Sequence, residues 1–383
     1  MKYNFDELTL RRGTNSYKWD SDPSTDMIPL WVADMDFRTA PCITEALKRR
    51  VEEGIFGYVK VPESYYEALQ KWFDERHGWE IRRESVIYTS GVVPAISAII
   101  KALVRPGEGV IVHTPAYNCF FSSIRNNGCK IVASPLLRRE NEEGFTYEID
   151  FEGLERLASK AENRMLILCN PHNPTGRVWT REELEHTRDI CNRHGVIVVS
   201  DEIHCELTHK GFTYIPYLTV DPEAVCCCSP SKAFNIAGLQ IANIVASDKE
   251  MRERIDKAIN INEVCDVNPF GVIALQEAYL RGGEWLAELK EYLDENYAYL
   301  RGELRHRLPM LRVCEAEATY LAWIDIRALG MTADEVEARG KEYGVWVNAG
   351  TLYGGEGYIR INYACPKKRL KEALDRFCKA FEM

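Results

Sequence analysis

Five short apolar runs constrain the fold of this chain more than any other feature of its sequence. None of them alternates with polar residues, and each ends at a cluster of polar or reactive side chains. The runs and the clusters that follow them are 86–88 before 89–91, 110–112 before 114–117, 165–168 before 170–176, 196–199 before Asp201, and 225–228 before 229–232. Continuous apolar runs of this length are typical of strands buried on both faces, with amphipathic crossover helices between them. The chain is therefore predicted to form an open α/β sheet.

The clusters after these runs are predicted to share one site. In open α/β sheets, ligands bind beyond the carboxyl ends of the strands. Five polar clusters at five strand ends should therefore converge on a single crevice.

The rest of the chain predicts helices and a second domain. Helical periodicity is present at 64–77 and at 182–194, where Thr180 is predicted to be the cap, and a further helix is expected at 92–104. After residue 283 a long helix at 286–308 precedes strand-like pieces at 320–324, 345–347 and 358–362. We predict an N-terminal segment, 1–45, that packs with the small domain, a large domain, 46–283, and a small α+β domain, 284–383.

Composition narrows the class of protein. The chain has 383 residues, of which 46% are hydrophobic and 28% charged, so it can bury a large core. Its formal net charge of −10 argues against a nucleic acid or an anionic membrane as partner. The N-terminus has no apolar stretch of signal-peptide type, and no later run reaches transmembrane length. We expect a cytoplasmic enzyme.

The thirteen cysteines do not have the spacing of a metal site or a disulfide framework. No Cys-x-x-Cys pair occurs, and Cys226, Cys227 and Cys228 are consecutive within an apolar run. Cysteine can act there as a small apolar side chain. Reduced, mostly buried thiols are expected, and the eight histidines likewise show no ligand spacing.

Lys232 is the strongest candidate for a reactive side chain. It follows an apolar run and has hydroxyls at two of the three preceding positions, Ser229 and Ser231. A lysine in this setting suits a Schiff base to an aldehyde cofactor that carries a phosphate. We interpret the segment as a pyridoxal phosphate site.

Four motifs in order resemble a known family. The segment 170–176, Asn-Pro-His-Asn-Pro-Thr-Gly, is followed by Asp201, by Ser-Pro-Ser-Lys at 229–232 and by a late Arg360. This order resembles the fold-type I pyridoxal phosphate enzymes of the class I/II aminotransferase superfamily. The resemblance implies an aspartate aminotransferase-like fold, with a mostly parallel, seven-stranded sheet flanked by helices in the large domain.

Further motifs resemble one branch of that superfamily, the cystathionine β-lyases or C-S lyases. They are found at 11–14, 18–20, 31–37, 57–58 and 90–94. One position departs from the common pattern, because Gln240 stands where many aminotransferases carry a phosphate-binding arginine. The phosphate is then expected to rely more on neutral donors.

The resemblance implies roles for four residues at the centre of the site. Lys232 would carry the cofactor and act as general base, and Asp201 would pair with the pyridine nitrogen. Asn173 would donate to the phenolic oxygen of the cofactor, and Arg360 would bind the α-carboxylate of the substrate. Asn173 and Tyr117 are also expected to contact the substrate. The alternatives are a surface lysine, a helix cap, a structural turn and a surface salt bridge.

The remaining candidate residues surround this centre. Ser90, Gly91 and Val92 open a predicted helix whose free N–H groups can hold a phosphate, with Ser229 and Ser231 as added donors, unless Ser90 only caps that helix. Tyr117 would stack on the cofactor ring or be a core aromatic, and His204 would contact the cofactor or lie behind it. By resemblance, Tyr58 would reach the phosphate of a partner subunit, which implies a homodimer with shared sites.

The sequence supports three functional hypotheses. The first is a C-S β-lyase that cleaves L-cystathionine, cysteine or related S-conjugates to pyruvate, ammonia and a thiol. The second is an aminotransferase on the same scaffold, and the third is a pyridoxal phosphate-binding regulator that acts through a protein partner. Asp36, in the 34–37 motif, is expected to help shape the substrate pocket, the alternative being a packing role for this segment.

Overall fold

The computed structural model describes residues 1–261 and 266–382. Within these ranges the strands are β1 (Ile28–Pro29), β2 (Val86–Thr89), β3 (Gly109–Thr114), β4 (Lys130–Pro135), β5 (Leu137–Glu140), β6 (Phe145–Glu148), β7 (Asn163–Cys169), β8 (Ile197–Asp201), β9 (Val225–Cys228), β10 (Ala242–Ala246), β11 (Arg312–Val313), β12 (Leu321–Asp325), β13 (Val345–Trp346), β14 (Asn348–Ala349) and β15 (Tyr358–Asn362).

The helices flank these strands. In chain order they are α1 (Pro41–Glu52), α2 (Glu63–His77), α3 (Val92–Leu103), α4 (Asn118–Asn126), α5 (Phe151–Ala158), α6 (Arg181–His194), α7 (Lys249–Asn260), α8 (Pro269–Arg281), α9 (Gly283–Arg307), α10 (Ala333–Glu342) and α11 (Lys367–Phe381). In the described parts of the chain, no helix is both long and apolar enough to cross a membrane.

The main sheet has seven strands in the order β2-β10-β9-β8-β7-β3-β4. All pairings are parallel except the two made by β10, which runs antiparallel to β2 and to β9. The prediction of a mostly parallel, seven-stranded sheet flanked by helices is confirmed.

Both faces of this sheet are buried, as the continuous apolar runs predicted. Alternate residues of β9 enter the two cores: Cys226 and Cys228 pack into one, and Val225 and Cys227 pack into the other. All four are fully buried. The consecutive cysteines therefore act as small apolar side chains, as predicted. Twelve cysteines are described, all of them free thiols, and Cys265 lies outside the described residues.

Most predicted elements are present, with small shifts at their ends. The predicted helices at 64–77, 92–104, 182–194 and 286–308 correspond to α2, α3, α6 and α9. Thr180 caps α6 in a reciprocal capping box with Glu183, as predicted. Two strands of the main sheet, β4 and β10, were not predicted, and neither were the short strands β1, β5, β6, β11 and β14 outside it. β4 lies at the sheet edge and is largely exposed, so it lacks a continuous apolar run.

The elements after residue 283 include a second sheet. Strands β11, β12, β15 and β14 form it in that order, all antiparallel, and α9 packs against α11. β13, predicted as a strand, instead pairs in parallel with β1 from the N-terminal segment. This pairing ties the N-terminus to the C-terminal part of the chain. The domain boundaries themselves remain a prediction.

Candidate active site

The carboxyl ends of β2, β3, β7, β8 and β9 surround a crevice with a cavity volume of about 200 Å³. Nine of the candidate residues lie on its wall: Ser90, Gly91, Val92, Tyr117, Asn173, Asp201, His204, Ser231 and Lys232. Every one of the five predicted strand-end clusters contributes to this set. The structure thus brings the clusters together, as expected from the sheet.

Lys232 projects into the crevice from the turn that follows β9. Its amine donates a hydrogen bond to the main-chain carbonyl of Ala33, with an Nζ to O distance of 2.6 Å. Burial, and then the positive charge of Arg360, lower the pKa of Lys232 to about 8. A large fraction of this amine is therefore uncharged in mildly basic solution.

Asp201 is the last residue of β8 and is buried. Its Oδ1 accepts a hydrogen bond of 3.1 Å from the N–H of Ile203. Burial raises the pKa of Asp201 to about 7, although this hydrogen bond acts in the opposite direction. A cationic partner in the crevice would favour the carboxylate, which makes Asp201 suited to face a protonated ring nitrogen.

Arg360 lies in the middle of β15 and is connected to the crevice through Asn173, a residue of the crevice wall. Its Nη1 donates to Asn173 Oδ1 over 3.2 Å, and its Nη2 donates to the carbonyl of Trp31 over 3.0 Å. The guanidinium also lies over the ring of Tyr353, 4.6 Å from the ring centroid. Arg360 is buried, and its Nε has no hydrogen-bond partner within the described structure. It is not a surface salt-bridge arginine.

His204 lies on the crevice wall, three residues beyond the end of β8. The ring is buried, and burial together with the charges of Lys232 and Arg360 lowers its pKa to about 3. Its Nδ1 has no hydrogen-bond partner among the described residues. The neutral imidazole therefore keeps a free polar atom for a bound group.

The N-terminus of α3 is open toward the crevice. Gly91 is the residue before the helix, and no side chain caps the first turn, so Ser90 is not the helix cap. The first N–H groups of an uncapped helix attract anions. This end of the crevice is suited to a phosphate.

Ser229 and Ser231 are placed differently from each other. The Ser231 side chain lies on the crevice wall, whereas the buried Ser229 hydroxyl donates to the carbonyl of Ile241 and is hydrogen-bonded to the Ser231 hydroxyl. Because the single Ser229 proton goes to Ile241, the Ser231 hydroxyl is the donor in the bond between the two serines. Of the two, only Ser231 lies on the wall, and the role of both hydroxyls toward a phosphate stays a prediction. Gln240 is also on the wall.

Asp36 does not line the crevice and belongs to a buried ion cluster. Its Oδ1 accepts hydrogen bonds from Arg11 Nη1 and Trp19 Nε1, both over 2.8 Å, and Lys18 and Arg369 approach its Oδ2 to 3.4 Å. Burial favours the neutral acid, but the surrounding cations hold the pKa of Asp36 below its usual range. The expectation that Asp36 shapes the pocket directly is corrected: it anchors the N-terminal segment.

Tyr58 lies away from the crevice of its own chain. It follows α1 in an irregular segment, and it is 94% exposed. Ile55 and Phe56 beside it are also exposed. The structure of one chain thus leaves this apolar segment uncovered, and its predicted contact with a partner stays a prediction.

The comparison with known proteins decides the family. The family described as aminotransferase class I and II matches residues 25–377. The chain belongs to this family. One similar protein is cystathionine beta-lyase PatB of Bacillus subtilis, which is 40% identical over 97% of this chain and 98% of that protein.

Solved structures of this aminotransferase family agree with that assignment. A pyridoxal phosphate-bound putative aminotransferase from Clostridium difficile has a TM-score of 0.95 at 38% identity, covering 99% of this chain and 100% of that one. A pyridoxal phosphate-bound C-S lyase from Staphylococcus hominis has a TM-score of 0.93 at 33% identity, covering 100% of this chain and 99% of the other. The protein is a pyridoxal phosphate-dependent enzyme of the C-S lyase and aminotransferase type.

The crevice fits this cofactor on its own geometry. In the part of the chain that the structure describes, two groups of the crevice have no side-chain partner: Nδ1 of His204 and the first N–H groups of α3. A third group, the nucleophilic amine of Lys232, is bound to the Ala33 carbonyl. They lie on one wall, together with a buried carboxylate, Asp201. A phosphate, an aldehyde and a ring nitrogen would each find a matching group there.

The sequence did not reveal three residues that organise the site of this family member. Asn235 has a φ of 54°, in the left-handed region that asparagine tolerates, and its side chain binds the backbone of Met35 and Phe37. The position of Asn235, three residues after Lys232, was a usable signal. Ala33 and Tyr320 gave no usable sequence signal. Ala33 acts through its main-chain carbonyl, and Tyr320 is the first residue of an apolar run that was interpreted as a strand.

Proposed function

We propose that the protein is a homodimeric C-S β-lyase that cleaves L-cystathionine, cysteine or related S-conjugates to pyruvate, ammonia and a thiol. The observation that carries the proposal is the placement of the Lys232 amine in the crevice, within electrostatic reach of both Asp201 and Arg360. The reactive amine would thus lie near Asp201, a partner for the cofactor, and near Arg360, a partner for the carboxylate of an amino acid. The 40% identity with a cystathionine beta-lyase over 97% of the chain supports the lyase reaction.

Different crevice residues would bind different parts of the cofactor. The N–H groups at the start of α3, with Ser90, Gly91, Val92 and the Ser231 hydroxyl, would hold the phosphate. Tyr117 would stack on the ring, and Asn173 and His204 would face its phenolic oxygen. Asp201 would face the ring nitrogen, and this pairing would keep the carboxylate ionised.

Lys232 would move the proton at the substrate Cα. Bound pyridoxal phosphate would supply an electron sink for the electron pair left at that carbon. The amine of Lys232 can take the proton only when it is uncharged, and the pKa of about 8 makes this form accessible near neutral pH. Burial of the amine thus adapts it to the role of general base.

Arg360 would orient the substrate through its α-carboxylate. Its planar guanidinium is fixed by Asn173, by the Trp31 carbonyl and by the ring of Tyr353, so its direction is set before a substrate binds. Charge-assisted, two-pronged contacts of this type are stronger than single neutral hydrogen bonds. A fixed carboxylate would hold the Cα–H bond toward Lys232.

The bond from Cβ to sulfur would then break. A thiolate is a good leaving group, because a thiol has a pKa of about 8.5. From L-cystathionine the departing thiol is homocysteine, and the three-carbon fragment, aminoacrylate, takes up one water molecule to give pyruvate and ammonia. A substrate without a leaving group at Cβ could not undergo this elimination.

The proposed dimer would complete the site. Tyr58, Ile55 and Phe56 are 94%, 74% and 58% exposed, which is unusual for three large side chains in one short segment. A second copy of the chain would cover them and bring its own Tyr58 hydroxyl to the phosphate. Because Gln240 supplies no positive charge, such an added donor would matter more here.

The experiment that tests the lyase proposal uses purified, cofactor-loaded protein and L-cystathionine without any keto acid. Pyruvate and the absorption spectrum of the cofactor are followed together, with Lys232→Ala as the inactive control. Sustained pyruvate formation with the aldehyde form retained is expected. Absence of pyruvate from cystathionine and from other S-conjugates would refute the proposal.

An aminotransferase is the second candidate, because a structure described as a putative aminotransferase has the TM-score of 0.95. In the same experiment it would convert the cofactor stoichiometrically to the pyridoxamine form without releasing pyruvate. Added keto acid would then restore the aldehyde form.

A further inference from the structure

The Ala33 carbonyl is the point where the N-terminal segment meets the reactive lysine. It accepts hydrogen bonds from Lys232 Nζ, at 2.6 Å, and from the Tyr320 hydroxyl, at 3.0 Å. A carbonyl oxygen has two lone pairs, so both of its acceptor positions are in use. One donor is the amine of Lys232, and the other is the hydroxyl of the buried Tyr320.

The segment on either side of Ala33 is held firmly. Asn362 Nδ2 donates to the carbonyl of Val32 over 2.5 Å and to that of Asp34 over 2.7 Å. Asn235 binds both the N–H and the carbonyl of Met35. The Ala33 carbonyl therefore keeps its direction toward the crevice.

Tyr320 is aimed at this carbonyl by an unusual backbone. Thr319, the residue before it, has a φ of 76°, which is costly for a β-branched side chain. Three hydrogen bonds hold it there: its N–H donates to Leu207 O over 2.7 Å, and its carbonyl accepts from the Tyr363 hydroxyl over 2.9 Å and from His209 over 3.2 Å. Strained backbone held in this way is typical of functional sites.

We propose that the Ala33 carbonyl is the docking point of the Lys232 amine whenever that amine is free, and that Tyr320 is a positioning residue that fixes and shares this acceptor. The inference rests on the proposed function, since it takes Lys232 as the residue that carries the cofactor. It adds a main-chain acceptor and a tyrosine to the machinery that handles the amine. Tyr320 acts through Ala33 and does not touch the reacting atoms.

The shared acceptor affects how readily the amine becomes uncharged. Two donors on one carbonyl compete for its electron density, so each bond is weaker than it would be alone. Tyr320 thereby limits how well the carbonyl stabilises the ammonium form of Lys232. The other groups that face this amine are Asp34, Cys119, Asp201, His204 and Arg360.

The test measures cofactor capture by the full-length chain from which the cofactor has been removed. In capture, the Lys232 nitrogen attacks the aldehyde carbon of pyridoxal phosphate, a C=N bond forms, and the carbonyl oxygen leaves as water. Only the uncharged amine reacts, so the rate rises with pH through the pKa of the amine. The rate is read from the absorbance change across a pH series, without any substrate.

The informative variant is Tyr320→Phe, and its matched control is Tyr65→Phe. Tyr65 is equally buried and donates one hydrogen bond, to Asn243, and neither residue belongs to the crevice wall. In Tyr320→Phe, we expect the rise of the capture rate with pH to occur at higher pH. Capture at pH 7 should be slower by roughly threefold, which corresponds to the free energy of one modest hydrogen bond. Tyr65→Phe should behave as the wild type. In the cofactor-loaded Tyr320→Phe enzyme, the rise of kcat on the acid side of its pH profile should also move to higher pH.

Three results would overturn the inference: an unchanged pH profile in Tyr320→Phe, a limb moved to lower pH, or the same change in Tyr65→Phe. If Tyr320→Phe does not fold, Asn362→Ser serves instead. It removes the two donor bonds that fix the flanking carbonyls, so the Ala33 carbonyl should hold the ammonium form of Lys232 less well, and capture should become faster at pH 7, with its pH profile moved to lower pH. An unchanged or slower capture in this variant would overturn the inference. Cofactor capture does not depend on C-S cleavage. Wild-type protein that captures the cofactor but releases no pyruvate would refute the lyase proposal and leave this test intact.

Discussion

Replacing Asp201 with Asn should stabilise the cofactor-free protein and weaken its hold on the cofactor. Burial raises the pKa of Asp201 from 3.8 to about 7. At 1.36 kcal/mol for each pKa unit, keeping this carboxylate ionised costs the folded, cofactor-free chain about 4 kcal/mol at pH 8. Asparagine carries no charge and retains an oxygen that can accept the hydrogen bond from the Ile203 N–H.

The pH dependence gives the effect its signature. Below pH 3.8 the acid is neutral in both the folded and the unfolded chain, so it contributes no penalty. The penalty grows as the pH rises between the two pKa values and is complete above about 7. The stability gain of Asp201→Asn should therefore be about 2 kcal/mol at pH 5 and about 4 kcal/mol at pH 8.

The assay is urea-induced unfolding of cofactor-free wild-type and variant proteins at both pH values. Asp74→Asn is the control, because Asp74 is an exposed residue of α2. With pyridoxal phosphate present the order should reverse, since a protonated ring nitrogen makes the ionised Asp201 favourable. Equal stability of Asp201→Asn and Asp74→Asn at pH 8, or a gain that does not change with pH, would refute the reasoning.

Three further variants test other parts of the site. Arg360→Lys should raise the KM for cystathionine about tenfold in the pyruvate assay, because an ammonium cannot make the two-pronged carboxylate contact. Arg327 is exposed and paired with Asp325 away from the crevice wall, so Arg327→Lys should leave the KM unchanged. Gln240→Arg should tighten cofactor binding roughly tenfold in equilibrium dialysis by adding a cation near the phosphate, and an equal gain in the surface variant Gln276→Arg would argue against this explanation. Asp36→Asn should cost about 3 kcal/mol of stability in urea unfolding, because it leaves buried cations unpaired. A loss no larger than that of Asp26→Asn, which breaks an exposed ion pair with Arg376, would contradict the buried-cluster account.

The sequence predicted the large sheet and its crevice well, because strands that are buried on both faces are continuous apolar runs in the sequence. The runs 165–168 of β7 and 225–228 of β9 are apolar and buried at every position, and residues that follow them reach the crevice. The strand β10 was missed, although it too is fully buried. Its five residues include Asn243, whose amide accepts from Tyr65, and a polar residue inside a short run obscures the pattern.

The role of Asp36 could not be predicted because its partners are dispersed along the chain. Arg11 and Lys18 precede it by 25 and 18 positions, and Arg369 follows far downstream. A carboxylate in a motif looks the same in sequence whether it faces a substrate or a set of buried cations. The contact of Arg360 with Asn173, 187 positions apart, was likewise not predicted; family resemblance gave each residue only a separate role.

The pairing of the first forty residues with the last part of the chain has a consequence for biosynthesis. The Trp31 carbonyl accepts from Asn348, 317 positions later, and the Val32 carbonyl accepts from Asn362, 330 positions later. Synthesis proceeds at about 5–20 residues per second, so this segment leaves the ribosome many seconds before its partners exist. During that interval Lys232 can be made and its sheet assembled, but Ala33 has no fixed place beside it. The surroundings of Lys232 are therefore completed last, when the C-terminal residues have been synthesised and bind the N-terminal segment.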